Sequence, residues 1–171
     1  NVMDDFEDFF DLVDKSAKSL GIPSETAIAE CAPGQFEINL LHHDDPLLMA
    51  DQAFLMKRSI KNCAKKFNLN ATFMAKPFFE QSGSGFHCHY SLWKDGKNIF
   101  AESGKLSQMG RYFVGGLQKR MAETAICGSA TVNGFRRRQP YTFCPINTAW
   151  GIDNRTVGIR VIESSDNATR V

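Results

Sequence analysis

Between residues 4 and 20 the apolar side chains Phe6, Phe9, Phe10, Leu12, Val13, Ala17 and Leu20 recur at helical spacing, with Asp and Glu early and Lys15 and Lys18 late. The spacing predicts an amphipathic helix, and the charge order suits its dipole. Gly21 and Pro23 end it. Residues 26–41 then read as two short strands about a turn at Gly34. Pro46 opens a second helix reaching about residue 67, with Leu48, Phe54, Leu55, Ile60 and Phe67 on its apolar face. Lys57, Arg58, Lys61, Lys65 and Lys66 form its solvated face.

Segments 71–75 and 85–92 have strand-like composition, and Lys94-Asp95-Gly96-Lys97 marks a turn before a short strand at 98–100. A third helix is predicted over 107–125, then an irregular loop rich in Arg, Pro and Asn, then strands at 148–150 and 156–162. A chain of 171 residues is long enough for one domain with its own core. Antiparallel strands with long helices predict an α+β domain, an antiparallel sheet with helices packed on one face.

Charge changes this picture little: 20 Lys plus Arg stand against 19 Asp plus Glu, so no global field points to nucleic acid or an anionic membrane. Local arginine clusters leave room for a small anionic ligand. Cys31, Cys63, Cys88, Cys127 and Cys144 are odd in number and never spaced as C-x-x-C, which disfavours a disulfide framework and a zinc ribbon. A reduced, cytoplasmic compartment is expected. There is no basic-then-apolar leader and no membrane-length apolar run, so a soluble protein is expected.

Four constellations carry candidate chemistry. Glu30 and Glu37 flank a Pro33-Gly34 turn. On neighbouring strands their carboxylates suit a hard divalent ion such as Mg2+ or Mn2+, or they are simply surface residues of a hairpin. In Gly83-Ser84-Gly85-Phe86-His87-Cys88-His89-Tyr90-Ser91, period-two alternation puts His87, His89 and Ser91 on one face after a flexible turn. That face lines a ligand cleft or forms an ordinary hydrogen-bonded surface. Arg136, Arg137 and Arg138 follow Asn133, and Arg155, Arg160 and Arg170 come later. Guanidinium groups match carboxylate and phosphate oxygens in bidentate fashion, though arginine runs also serve as solvated or ion-paired surface. His42-His43-Asp44-Asp45 looks like a metal cluster, but its place just before Pro46 favours a helix cap.

In this order the segments contain E-x-x-x-G-Q-x-E from Glu30, G-S-G-x-H-x-H from Gly83, N-x-x-x-R-x-x-P from Asn133 and N-R-x-x-x-x-R from Asn154. Together they resemble the glutamine synthetase superfamily, over nearly the whole chain. The resemblance implies part of that family's catalytic domain, an antiparallel guanido kinase-like half-barrel bearing helices. It also implies phosphoryl transfer from ATP to the γ-carboxylate of glutamate, then attack by an amine or ammonia on γ-glutamyl phosphate. Carried over by motif, Glu30 and Glu37 correspond to ligands of one metal ion and His87 to a ligand of a second. His89, Ser91, Arg160 and Arg170 correspond to phosphate- or nucleotide-side groups. Gly83 and Arg137 correspond to glutamate-binding groups, Arg137 holding the carboxylate, and Arg155 to an arginine on the transferring phosphate.

Two departures shape the expectation. Where ammonia-using relatives carry a glutamate, six residues after Arg137, this chain has Phe143. A phenyl ring makes an apolar wall suited to the carbon chain of an organic amine. Ser82 stands where many glutamine synthetases have asparagine, and Ala149-Trp150-Gly151 and Asn154-Arg155-Thr156-Val157 resemble the γ-glutamylpolyamine ligase branch, so putrescine or another alkylamine is expected ahead of ammonia. The second departure is extent: the family's N-terminal β-domain and further metal and glutamate ligands on both sides have no counterpart here, and its sites form between subunits of a ring-shaped homo-oligomer. The isolated chain is therefore expected to hold an incomplete site. A non-catalytic relative is the alternative, but Glu30, Glu37, His87, Arg155 and Arg160 have no structural need to be retained together. No P-loop or G-x-G-x-x-G loop points to another ATP-using fold.

Overall fold

Helix α1 (Glu7–Ser19), preceded by one 3-10 turn at Asp4–Phe6, forms where the helical spacing predicts it and buries Phe9, Val13 and Ala17, a stripe repeating every fourth residue. In the structure, a computed structural model, residues 2–171 are described, and they fall into two compact units that meet in sequence at Phe73 and Met74. In the first unit α1 packs on α2 (Pro46–Lys66), and Phe9, Val13, Ala17, Ile22, Met56, Cys63 and Ala64 form the core. Ser59 Oγ and Ser16 Oγ, 2.7 Å apart, close a polar contact between the helices.

Strands β1 (Ser24–Ala29) and β2 (Phe36–Leu40) form an antiparallel hairpin in which Ala29 pairs with Phe36 and Ile28 with Glu37. Its turn follows from Pro33 and Gly34: Gln35 N–H donates to Ala32 O at 3.0 Å, and Gly34 takes φ +70°, the left-handed value a type II turn requires. Phe36 sets its ring edge-on to Phe6 and Phe10, with centroids 5.2 and 5.0 Å away. By alternation Ile38 and Leu40 share that face and pack on the helical core, leaving Glu37 and Asn39 on the other.

The His42–Asp45 run is a cap. Asp45 Oδ1 accepts from Leu47 N–H at 2.9 Å and Leu48 N–H at 3.1 Å, and Pro46 occupies the first helical turn. Asp45→Ala is expected to cost about 1 kcal/mol of stability, read as a lower denaturant midpoint at unchanged slope.

The second unit carries two short hairpins, β3 (Trp93–Lys94) with β4 (Lys97–Asn98) and β5 (Ala101–Glu102) with β6 (Lys105–Leu106). Helix α3 (Gln108–Arg120) follows, capped by Ser107 Oγ, which accepts from Gly110 N–H at 3.2 Å. Then come α4 (Ala125–Gly128), α5 (Val132–Arg136), β7 (Trp150–Ile152) and β8 (Ile159–Val161). Phe100, Leu106, Val114, Ile159, Val161 and Val171 form a separate core. Buried Asn98 ties the last residues down through Nδ2, which donates to Asp166 O and Thr169 O.

The expected single antiparallel sheet is corrected: the described residues hold four two-stranded sheets, and β7–β8 is parallel. Segments 71–75 and 85–92 are not strands. Composition favours extended backbone, but a strand needs a ladder partner; along 85–92 only Tyr90 exchanges both backbone hydrogen bonds, with Val171, at 2.7 and 2.9 Å. The third helix stops at Arg120 instead of 125, and α4 and α5 occupy part of the region read as loop. Thr131 gives the missed start signal for α5, its Oγ1 accepting from Gly134 N–H. All five cysteines are free. Among the described residues no helix is long and apolar enough to cross a membrane.

Candidate active site

The second unit brings Gly83, His87 and Arg137 together at one backbone turn. Ser84 N–H donates to Ala75 O at 2.9 Å, closing the loop that presents Gly83 and Gly85. The Arg137 side chain lies directly on it. A Cβ at Gly83 would stand 2.6 Å from Ala75 O and 2.9 Å from Arg137 Cγ, so only glycine admits this approach. A Cβ at Gly85 would meet His87 Nε2 at 3.3 Å and Arg137 Nη2 at 3.5 Å, which puts the imidazole and the guanidinium beside the same glycine. Arg137 Nη1 also donates to Cys144 Sγ at 3.6 Å.

A second group of charges meets at His89. Ile159 and Val161 of β8 point into the core, which turns Arg160, between them, to the opposite face. There Arg160 Nη2 donates to Asp153 Oδ1 at 2.7 Å. Arg170 is fixed by antiparallel pairing with Ile162 and donates from Nη1 to Ala168 O. His89 feels both arginines and His87: its pKa lies below the ordinary value, first because protein crowds out part of its water, then because Arg170, His87 and Arg160 repel a proton. The depressed value keeps His89 neutral at pH 7, able to donate one hydrogen bond without adding charge.

Arg137 Nε and Arg160 Nε are buried N–H donors with no hydrogen-bond partner among the described residues. Buried donors on cations are costly to leave unmade, and a carboxylate or phosphate oxygen would satisfy them. Both therefore fit an anionic ligand.

The carboxylate pair belongs to the first unit. Glu30 N–H donates to Gln35 O at 2.8 Å, one step past the β1–β2 ladder, so alternation puts Glu30 and Glu37 on the hairpin face turned away from α1 and α2. They are diagonal neighbours, roughly 7–8 Å apart at the backbone, within reach of one shared ion for two long side chains. Oxygen donors fit Mg2+ or Mn2+, as the sequence pattern implies. Among the described residues no three His, Cys, Asp or Glu side chains converge.

The remaining motif residues stand apart from these groups. Ser91 Oγ accepts from Trp93 Nε1 at 2.9 Å. Arg155 is exposed in the turn between β7 and β8, which Asn154 Oδ1 shapes by accepting from Thr156 N–H at 2.8 Å. Phe143 is 62% exposed and takes φ +52°. Sequence reading gave no role to Asn133, Cys144 or Asp153, although Asn133 opens one quoted motif and Asp153 directly precedes another. For Asn133 a usable signal exists: it precedes Arg137 by one helical turn.

Comparison with known proteins matches the family described as "Glutamine synthetase, catalytic domain" to residues 1–171. The gamma-glutamylputrescine synthetase PuuA of Escherichia coli (strain K12) is 38% identical over 158 residues, covering 91% of this chain and 34% of that protein. A glutamate–isopropylamine ligase of Pseudomonas sp. is 39% identical, covering 93% of this chain and 35% of its own length. A glutamine synthetase of Pyrococcus horikoshii is 38% identical, covering 88% of this chain and 34% of its own length. The chain thus spans about a third of the length of these curated relatives.

Proposed function

Since the chain belongs to the glutamine synthetase catalytic-domain family, we propose that the protein carrying it is an ATP-dependent ligase that joins an amine to the γ-carboxylate of glutamate. The observation that carries this reading is the convergence of Arg137, His87 and the Gly83–Gly85 backbone, with buried, unpaired guanidinium N–H groups on Arg137 and Arg160. Glutamate would lie along the Gly83 backbone with a carboxylate on Arg137. One γ-carboxylate oxygen attacks the terminal phosphorus of ATP and ADP leaves. The amine nitrogen then attacks the acyl carbon, the C–O bond to phosphate breaks, and the amine gives up a proton.

Phosphoryl transfer asks chiefly for charge stabilisation and in-line placement. Arg160, Arg170 and neutral His89 would face the phosphate oxygens, with Ser91 on the nucleotide side and Arg155 reaching the transferring group. Glu30 and Glu37 would hold one Mg2+ or Mn2+ ion and His87 another, and such ions neutralise phosphoryl charge. The same reading includes a partial catalytic domain of the half-barrel type, a ring-shaped homo-oligomer and a cytoplasmic setting. Phosphate release that requires ATP, glutamate and an amine together tests it; release independent of glutamate would refute it.

An alkylamine is favoured over ammonia because Phe143 presents apolar surface where a carboxylate would capture ammonium, and two similar relatives carry organic amines in their names. Burying two methylenes against the ring is worth about 0.8 kcal/mol each, or roughly tenfold in kcat/KM. Phe143→Glu is expected to shift the ratio of kcat/KM values for ammonium and putrescine towards ammonium by about that factor. An unchanged ratio, or equal use of both amines by the unmodified protein, would favour ordinary glutamine synthesis.

A further inference from the structure

Helix α5 meets the glycine loop through one side chain that uses its whole carboxamide. Asn133 Oδ1 accepts from Lys76 N–H at 2.8 Å, and Asn133 Nδ2 donates to Lys76 O at 2.8 Å. The amide thus imitates a rung of β-ladder against the Lys76 backbone. Lys76 is itself buried, and its Nζ donates to Gln81 O, which closes the same loop from inside. One helical turn after Asn133, on the same face, comes Arg137, whose Cγ and Cδ would lie 2.9 and 3.0 Å from a Cβ at Gly83. With Ala75 O only 2.6 Å from that point, there is no slack to absorb a slide of the helix along the loop.

We propose that Asn133 is a positioning residue: its two hydrogen bonds set the register of α5 on the 75–85 loop and so fix where the Arg137 guanidinium stands above Gly83 and Gly85. This rests on the ligase reading, in which Arg137 holds a glutamate carboxylate. Cys144 accepts from Nη1 at 3.6 Å and so touches only the guanidinium, whereas Asn133 acts on the backbone of the loop that carries Gly83.

The test uses the full-length protein, with kcat/KM measured separately for glutamate and ATP. Asn133→Ala removes both bonds, and Asn133→Asp keeps the acceptor and the volume but sets an oxygen against Lys76 O, so it serves if the alanine variant fails to fold. Either change is expected to lower kcat/KM for glutamate about tenfold, through KM, while the KM for ATP stays within about twofold. In an Arg137→Ala background the same change is expected to cost less than twofold, because the residue it positions is gone. Equal losses for both substrates, or an undiminished loss without Arg137, would overturn the proposal while leaving the ligase reading intact. Absence of glutamate-dependent turnover in the unmodified protein would overturn the ligase reading and this inference with it.

Discussion

Gly83→Ala is expected to reduce kcat/KM for glutamate about 100-fold. The added methyl meets Ala75 O at 2.6 Å and Arg137 Cγ at 2.9 Å, distances that side-chain motion alone cannot relieve because Ala75 O is backbone and already accepts from Ser84 N–H. Either the loop or α5 must retreat. A displacement near 1 Å at a binding group is enough for a loss of that order, and the overpacking adds about 1–3 kcal/mol of destabilisation. Gly116→Ala is the matched control: nothing stands within 4 Å of a Cβ there, so activity should be retained. Near-normal glutamate kinetics in Gly83→Ala would show that the Arg137–Gly83 contact does not govern binding.

Phe100→Ala should have the largest effect on stability. Phe100 is 1% exposed, tilts against Phe113 at 4.9 Å and lies among Leu106, Val114, Ile159 and Val161. Emptying that volume is expected to cost about 3–5 kcal/mol. Because β8 carries Ile159 and Val161 on one face and Arg160 on the other, loosening this core should also release Arg160. Hydrogen exchange should quicken across α3 and β8, while α1 and α2, with a core of their own, keep their protection. Uniform loss of protection in all four elements would contradict this separation.

The sequence was most legible where a few neighbouring residues settle the matter. Phe9, Val13 and Ala17 define α1 by spacing alone, Asp45 and Pro46 define the start of α2, and Pro33-Gly34 defines the hairpin turn. Residues 85–92 went the other way. Their composition is strand-like, but whether a ladder forms depends on partners distant in sequence, and among them Tyr90 alone exchanges both backbone bonds, with Val171. Helix α5 was hidden because five residues, only two of them large and apolar, are too few for helical periodicity to register. At the candidate site the motifs marked Gly83, His87, Arg137 and Arg160 as separate runs. That Arg137 rests on Gly83, or that Arg160 pairs with Asp153 across the β7–β8 turn, follows only from tertiary contact.

Phe143 belongs to neither core, and most of its surface faces solvent. A position that supports no packing is one where mutation carries little folding penalty, so under the proposed ligase reading selection would meet its side chain through the amine and little else. Glycine 83 and Arg137, wedged against one another, have no such latitude. If the ligase reading holds, a lineage built on this chain could change its nitrogen donor by substitutions at this exposed position, while the contact proposed to hold glutamate stays fixed by steric fit.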